Sequence, residues 1–357
     1  MSPALVDGAS KKWRRTMRKL IGGFLTTIFA VGMLHVTGYA VDNDNGWSDV
    51  CCEQEEGFFL QVEGLIWKAC RTGLDYALGV NVCDGLQDGR VHVLSFDWHV
   101  GVRAVLGYRL DCDRWDMRVD YTRFHVEATG SVSDPSAGEP SLRPTRFHPF
   151  FGGGDKSAEK LSGKFDLGYD IVDVLLRHSF CPCPSFELRP YGGIRGLFVK
   201  EDLTIDVAGS NYISAAADRI LWSNDHKAAG LRGGVEGFYH ICGDFSFFGD
   251  FGGSIVVGKP ETRYINNKSN VSYNLVDIFE SRRCMVSCSY DAAAGIMWER
   301  CCGDTVVALS IGYELHKWNT MASQRRYFNP AHYGIGTDTA LASLGFHGAF
   351  IRGRVDF

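Results

Sequence analysis

Residues of alternating character recur along most of this chain, and that two-residue period constrains the fold more than any other feature. At the C-terminus Phe357, Val355, Gly353, Ile351 and Ala349 fall on one side, and Asp356, Arg354 and Arg352 on the other. Side chains that change side at every step belong to a strand. One such strand proves little, because a soluble sheet also alternates. Here the pattern recurs about ten times, behind an N-terminal segment with the marks of export.

That segment carries Lys11, Lys12, Arg14, Arg15, Arg18 and Lys19, then an apolar run from Leu20 to Val36, then Gly38-Tyr39-Ala40. A basic region, an apolar core and small residues before a cut are the parts of a signal peptide. The run is short for a spanning helix, and no stop-transfer charges follow it. Residues 1–40 are expected to be a cleaved signal peptide, 41–56 a periplasmic N-terminal segment and 57–357 a barrel in the outer membrane. An uncleaved signal anchor is the alternative, and Met17 is an alternative start. Losing six basic residues and Asp7 would take the formal charge from -5 to -10. An acidic exported chain is a poor nucleic-acid binder, so no nucleic-acid partner is expected. The 317 residues after Ala40 hold no second stretch apolar enough to span as a helix.

The alternation reads as paired strands. Phe58, Leu60, Val62 and Ile66 face away from Gln61 and Glu63. Trp98, Val100, Val102, Ala104, Leu106, Tyr108 and Leu110 oppose Gly101, Arg103, Gly107 and Arg109. Asp111-Cys112-Asp113 then turns the chain into Trp115, Met117, Val119 and Tyr121, opposite Asp116, Arg118 and Asp120. Two runs in phase across a tight turn make a hairpin. Phe165, Leu167, Tyr169 and Ile171 start the next strand, whose phase slips around Val172-Asp173-Val174; a bulge would do this. Further strands follow at Phe186 to Lys200, Leu231 to Ile241, Phe245 to Val257, Val286 to Trp298, Val307 to Leu315 and the C-terminus. Longer polar connections at 129–163 and 201–226 alternate with short turns. The expected fold is all-β: a transmembrane antiparallel up-and-down β-barrel of about ten strands, eight or twelve if a pair is miscounted, each about a dozen residues long. Trp67, Trp98, Trp115, Tyr121, Trp298 and Trp318 lie near strand ends, as interfacial girdles do; ordinary core aromatics are the alternative.

Lipid offers the backbone no hydrogen-bond partner, so a sheet that crosses it closes on itself. Its inner face would carry Arg103, Arg109, Arg118, Asp120, Asp166, Asp170, Arg189, Arg195, Arg232, Glu236, Glu314, Arg352 and Arg354. Charges of both signs on a narrow wall either hold water open as a channel or pair into a plug. The excess of arginine would favour anions mildly.

Cysteines mark the turns. Cys51 and Cys52 precede the first strand; Cys112, Cys181, Cys183, Cys242, Cys301 and Cys302 occupy the short turns. Export permits disulfides. Bonds between turns, or to other envelope proteins, are expected, with staples within the chain or free thiols as alternatives. Neither Cys181-x-Cys183 nor Cys284-x-x-x-Cys288 has the paired spacing of a zinc site, and no metal or cofactor is expected. Gly152-Gly153-Gly154-Asp155-Lys156-Ser157 lacks the Gly before Lys and the frame of a phosphate loop. No G-x-S-x-G or H-E-x-x-H occurs, no two acids stand out as a catalytic pair, and the chain is not expected to be an enzyme.

Longer motifs carry a resemblance. Glu63-Gly64-Leu65-Ile66-Trp67-Lys68-Ala69 with Gly73-Leu74-Asp75-Tyr76-Ala77, Phe96-Asp97-Trp98 through Trp115-Asp116, and Tyr121-Thr122-Arg123-Phe124-His125 are part of it. So are Gly168-Tyr169-Asp170 to Asp173, Arg189-Pro190-Tyr191-Gly192-Gly193-Ile194-Arg195-Gly196, and Leu344-Gly345-Phe346-His347-Gly348 to Phe357. Together they resemble the pore-forming outer-membrane family typified by the Legionella major outer membrane protein. The resemblance implies a porin-like barrel, with Phe357 as the signal read by the barrel-assembly machinery. The turn cysteines are more like those of chlamydial envelopes, where disulfides help stiffen the wall. The expected function is a water-filled pore for ions and small solutes, with a structural role in a disulfide-linked envelope. Its partners would be outer-membrane lipid, the assembly machinery, and envelope proteins or further copies of the chain. The alternative is a non-conducting barrel whose loops 129–163 and 201–226 bind a host partner.

Overall fold

The computed structural model describes residues 56–83, 86–110, 114–133, 142–146, 158–183, 185–210, 218–268, 274–281, 284–302, 305–328 and 336–357. The expected signal peptide, residues 41–55, Cys51, Cys52, Cys112, the turn 111–113 and the glycine-rich 152–157 lie outside the described residues. Ten long strands form the wall: β1 (Gly57–Arg71), β4 (Trp98–Arg109), β5 (Trp115–Ser133), β7 (Ala158–His178), β9 (Phe186–Ser210), β10 (Asp218–Cys242), β11 (Phe245–Lys268), β13 (Met285–Cys302), β14 (Thr305–Phe328) and β15 (Gly336–Asp356). Five shorter strands are attached to it: β2 (Asp75–Cys83), β3 (Leu86–Val93), β6 (Leu142–Pro144), β8 (Phe180–Cys183) and β12 (Asn274–Ser281). Each wall strand pairs antiparallel with the next, and β15 returns to β1, with Leu65 opposite Phe350. Closure removes the edges that an open sheet would expose.

All ten strands read from the alternation are present, but several run much further. The strands β9 and β10 each have 25 residues. A tilted transmembrane strand needs roughly 9–11. The segment 201–226, expected as a loop, is largely strand, as are both ends of 129–163. The wall therefore stands well above any bilayer at the end opposite the short turns.

This height explains the misread phase in β7. Pairing runs through Val172, Asp173 and Val174 on both sides without a register shift, so there is no bulge. On the turn side, Val172, Val174 and Leu176 face out while Asp173 and Arg177 are buried inside. On the loop side, Phe165, Leu167, Tyr169 and Ile171 are buried inside while Lys164, Asp166 and Asp170 face out. The geometry is continuous; the surroundings change. A lipid-facing wall is apolar outside, whereas a wall standing in water hides its apolar face. The strand β9 reverses in the same way, from outward Ile194 with inward Arg195 to outward Asp202 with inward Leu203.

The lower outer wall is strongly apolar: Val100 is 76% exposed, Leu231 71% and Phe251 63%. Among the described residues no helix is long and apolar enough to cross a membrane, which says nothing of a barrel.

Candidate functional site in the barrel interior

Strand pleating puts every second side chain inside, and three layers fill that space. Nearest the turns, Arg109 and Arg354 grip Asp356 at 2.5 and 2.7 Å. Arg177 bridges Asp116 at 2.7 Å and Glu236 at 2.9 Å, and Arg118 reaches Glu236 at 3.0 Å. Arg189 pairs with Glu187 at 2.7 Å.

Above these lies a continuous ionic chain. Glu63 accepts from Arg103 at 2.6 Å and Arg352 at 2.8 Å. Arg103 also reaches Glu314 at 3.2 Å. His316 lies between Glu314 (3.1 Å from Nε2) and Asp291 (2.9 Å from Nδ1). Arg195 and Arg232 then link Asp291 to Asp173, the latter at 2.8 and 2.7 Å. A carboxylate faces each ring nitrogen of His316, a setting matched by a donor at both. A cavity of about 40 Å³ lies within this layer, room for only a few waters.

The third layer is aromatic. Trp67 packs on Phe124 and Phe346 with ring centroids 5.4 and 5.3 Å apart, and Tyr169 lies 4.5 Å from Phe346. Indole N–H groups need partners when buried: Trp67 donates to Glu314 at 2.9 Å and Trp318 to the Tyr169 hydroxyl at 2.8 Å. Trp67 and Trp318 are thus not girdle residues; they are the stopper, 1% and 0% exposed. Trp98, Trp115, Tyr121 and Trp298 do face outward.

The mouth is crossed by the segments around β2 and β6. Tyr76 and Leu94 press against one wall where Gly130 and Gly163 leave space: a Cβ there would lie 2.9 Å from Leu94 and 3.0 Å from Tyr76. On the other side the Tyr264 hydroxyl donates to the Arg146 carbonyl at 2.9 Å, and Arg146 donates to the Gly73 and Asp75 carbonyls. Beneath them Arg71 is clamped to Glu201, which also accepts from Asn224 at 3.0 Å.

Of the charges expected inside, Arg103, Arg109, Arg118, Asp120, Arg189, Arg195, Arg232, Glu236, Glu314, Arg352 and Arg354 project inward. Asp166 and Asp170 do not: they lie on the outer face beyond the reversal, Asp166 beside His125 at 3.6 Å and Asp170 accepting from Tyr121 at 2.7 Å. The set of inner-face charges expected from the sequence did not include Glu63, Asp116, Asp173, Asp291, His316 or Asp356. Most of these fall on the polar phase and were legible; Asp173 was hidden by the reversal. Among the described residues these added acids offset the arginines, so the interior charges there show no cationic excess to favour anions.

The described turn cysteines, Cys181, Cys183, Cys242, Cys301 and Cys302, lie at the turn ends of their strands. Cys183 and Cys302 are exposed there and free. Cys181 is half-buried and Cys301 exposed, and the backbone of Cys242 ends β10. Among the described residues one cluster has the ligand types of a metal site: His125, Glu127 and Asp166, within 4.8 Å of one another on the outer face. Lys164 already neutralises Glu127 at 3.0 Å.

Known structures are similar in outline. The Escherichia coli outer membrane protease OmpT is 9% identical, with 87% of this chain and 99% of that chain covered and a TM-score of 0.41. Pseudomonas aeruginosa OprG is 9% identical, over 85% of this chain and 97% of that one, with a TM-score of 0.24. A P. aeruginosa FadL homologue is 7% identical, over 85% and 90%, also at 0.24. No curated protein matches the chain. Residues 50–357 match the model of the Legionella pneumophila major outer membrane protein precursor, and the chain belongs to that family of outer-membrane proteins.

Proposed function

We propose that the protein is a porin-like barrel of the outer membrane that rests closed. It serves as a rigid wall element and passes ions or small solutes only when its interior layers part. The observation that carries this reading is the paired ionic layer, holding a cavity of about 40 Å³, inside a wall whose lipid-level outer face is apolar. A barrel needs no charge inside for stability alone, since apolar packing often serves as well or better than buried ion pairs. Charge of both signs is what a lumen that admits water carries.

The orientation follows the usual rule, with short turns in the periplasm and tall ends outside. That places Cys183 and Cys302 where an oxidising periplasm can link them to other envelope proteins or to further copies of the chain. An N-terminal signal peptide would deliver the chain, and Phe357 would present it to the barrel-assembly machinery. Among the described residues the interior does not pair a nucleophile with a base at a substrate cleft, and no reaction is proposed.

Refolded protein in planar bilayers tests the reading. The expected record is a low baseline with brief, small openings. A large steady conductance would refute the closed state. Silence in both the native protein and a variant lacking the aromatic layer would refute passage and leave a structural barrel.

A further inference from the structure

Outside the lumen, the outer wall of β11, β13, β14, β15 and β1 carries a groove of about 590 Å³. Its floor is made of Ala292 and Gly345, two of the smallest outward residues, and its sides of Phe251, Tyr290 and Leu315, with Lys317 at the upper rim. Register explains the shape: Ala292 pairs with Phe251 and Leu315 in one row, and Lys317 with Tyr290 and Gly345 in the next. The pleat therefore sets large apolar side chains around a shallow centre.

Lys317 lines the groove, and Lys68 stands just outside it, beside the lining residue His347 and one row nearer the turns. Lys68 is opposite His347, and Lys317 is opposite Gly345, so they flank β15 from either side. Two strand spacings across and two residues along β15 put their backbones roughly 12 Å apart. Each is the first charge above an apolar run, following Ile66 on β1 and Tyr313 and Leu315 on β14. The Trp98 ring lies 5.4 Å from His347 beside them.

Their electrostatic state separates them from four of the other outward lysines, although Lys160 on β7 also has no ion pair among the described residues. Four other outward lysines are each matched with a carboxylate: Lys164 with Glu127, Lys200 with Asp202, Lys227 with Asp225 and Lys259 with Glu261, at 3.0, 3.3, 2.7 and 3.2 Å. Among the described residues Lys68 and Lys317 make no ion pair. Two uncompensated cations over an apolar groove, at the level where the wall leaves the hydrocarbon, complement an amphiphile with an anionic head. Long lysine stems lie along apolar surface and lift the ammonium to the interface.

We propose that this groove is a binding site for a phosphorylated glycolipid of the outer leaflet. One acyl chain would lie over Ala292, and a phosphate would sit between Lys68 and Lys317, over Gly345. The site lies on the lipid side of the wall and holds whether or not the lumen conducts.

The test is native mass spectrometry of the full barrel in mild detergent, titrated with purified bisphosphorylated lipid A. One lipid is expected per barrel. The double variant Lys68→Gln/Lys317→Gln should weaken binding roughly thirtyfold, from the attraction of a lysine to an anionic lipid surface. Lys227→Gln/Lys259→Gln should change it less than twofold. Ala292→Trp, which fills the floor and keeps both lysines, should also lose the lipid; it decides the matter if the double variant fails to show heat-modifiable migration. Equal binding by the lysine variant would overturn the proposal. So would equal binding of dephosphorylated lipid, preference for phosphatidylglycerol, or no bound lipid at all.

Discussion

Replacing Trp67 by alanine removes the centre of the aromatic layer. The indole packs against Phe124, Tyr169, Phe346 and the His316 ring, with centroids between 5.0 and 6.5 Å. It also donates to Glu314 at 2.9 Å. Truncating a buried tryptophan costs about 3–5 kcal/mol when the surroundings do not collapse. Collapse is resisted here, because each neighbour belongs to a different wall strand fixed by its ladder. The vacated space would take roughly four waters at about 30 Å³ each, directly over an ionic chain whose oxygens and nitrogens can hydrate. Trp67→Ala should therefore lower the denaturation midpoint and raise the open probability in planar bilayers by at least about tenfold, equivalent to roughly 1.4 kcal/mol. Trp67→Phe keeps most of the packing and should stay near the native baseline. The reasoning fails if Trp67→Ala folds, by heat-modifiable migration, yet shows native conductance. The barrier would then lie in the ionic layer or the mouth.

Glu63→Gln leaves Arg352 and Arg103 short of their shared carboxylate in a site where Glu63 is 1% exposed; urea unfolding should show a loss of about 3–5 kcal/mol, reduced where water reaches the arginines. Asp173→Asn, inside and between Arg195 and Arg232, should destabilise the barrel and alter its current. Asp166→Asn, outside, should change stability by less than about 0.5 kcal/mol and leave the current alone; the opposite order would refute the assigned faces. Cys183→Ser with Cys302→Ser should remove high-mass bands on non-reducing gels of whole envelopes. Bands that persist would place the cross-links on other cysteines.

The period-two code made the wall legible because it is local: pleating forces alternation whatever the chain packs against. Each of the ten wall strands leaves that mark, down to Phe357. What the code does not state is which face is wet. In β7 the same unbroken alternation means apolar outside at Val174 and apolar inside at Phe165, and only the height of the strand relative to the bilayer decides between them. The apparent slip at Asp173 is thus the trace of the membrane boundary in the sequence. The wrong sides assigned to Asp166 and Asp170 come from applying the lipid rule beyond its solvent. Trp67 and Trp318 fail for a related reason: an aromatic near a strand end suits an interface only if its phase points outward, and Trp67 shares the phase of Glu63 and Leu65. The mouth was not legible, since the contacts of Tyr76, Leu94 and Arg146 join segments far apart in sequence and depend on two glycines, Gly130 and Gly163, that carry no hydrophobic signal. A barrel of this kind therefore writes its membrane level into its sequence as the point where polar and apolar phases exchange. Aligning that exchange strand by strand would set the depth of the wall in the bilayer, and that depth is what puts Lys68 and Lys317 at the lipid headgroups.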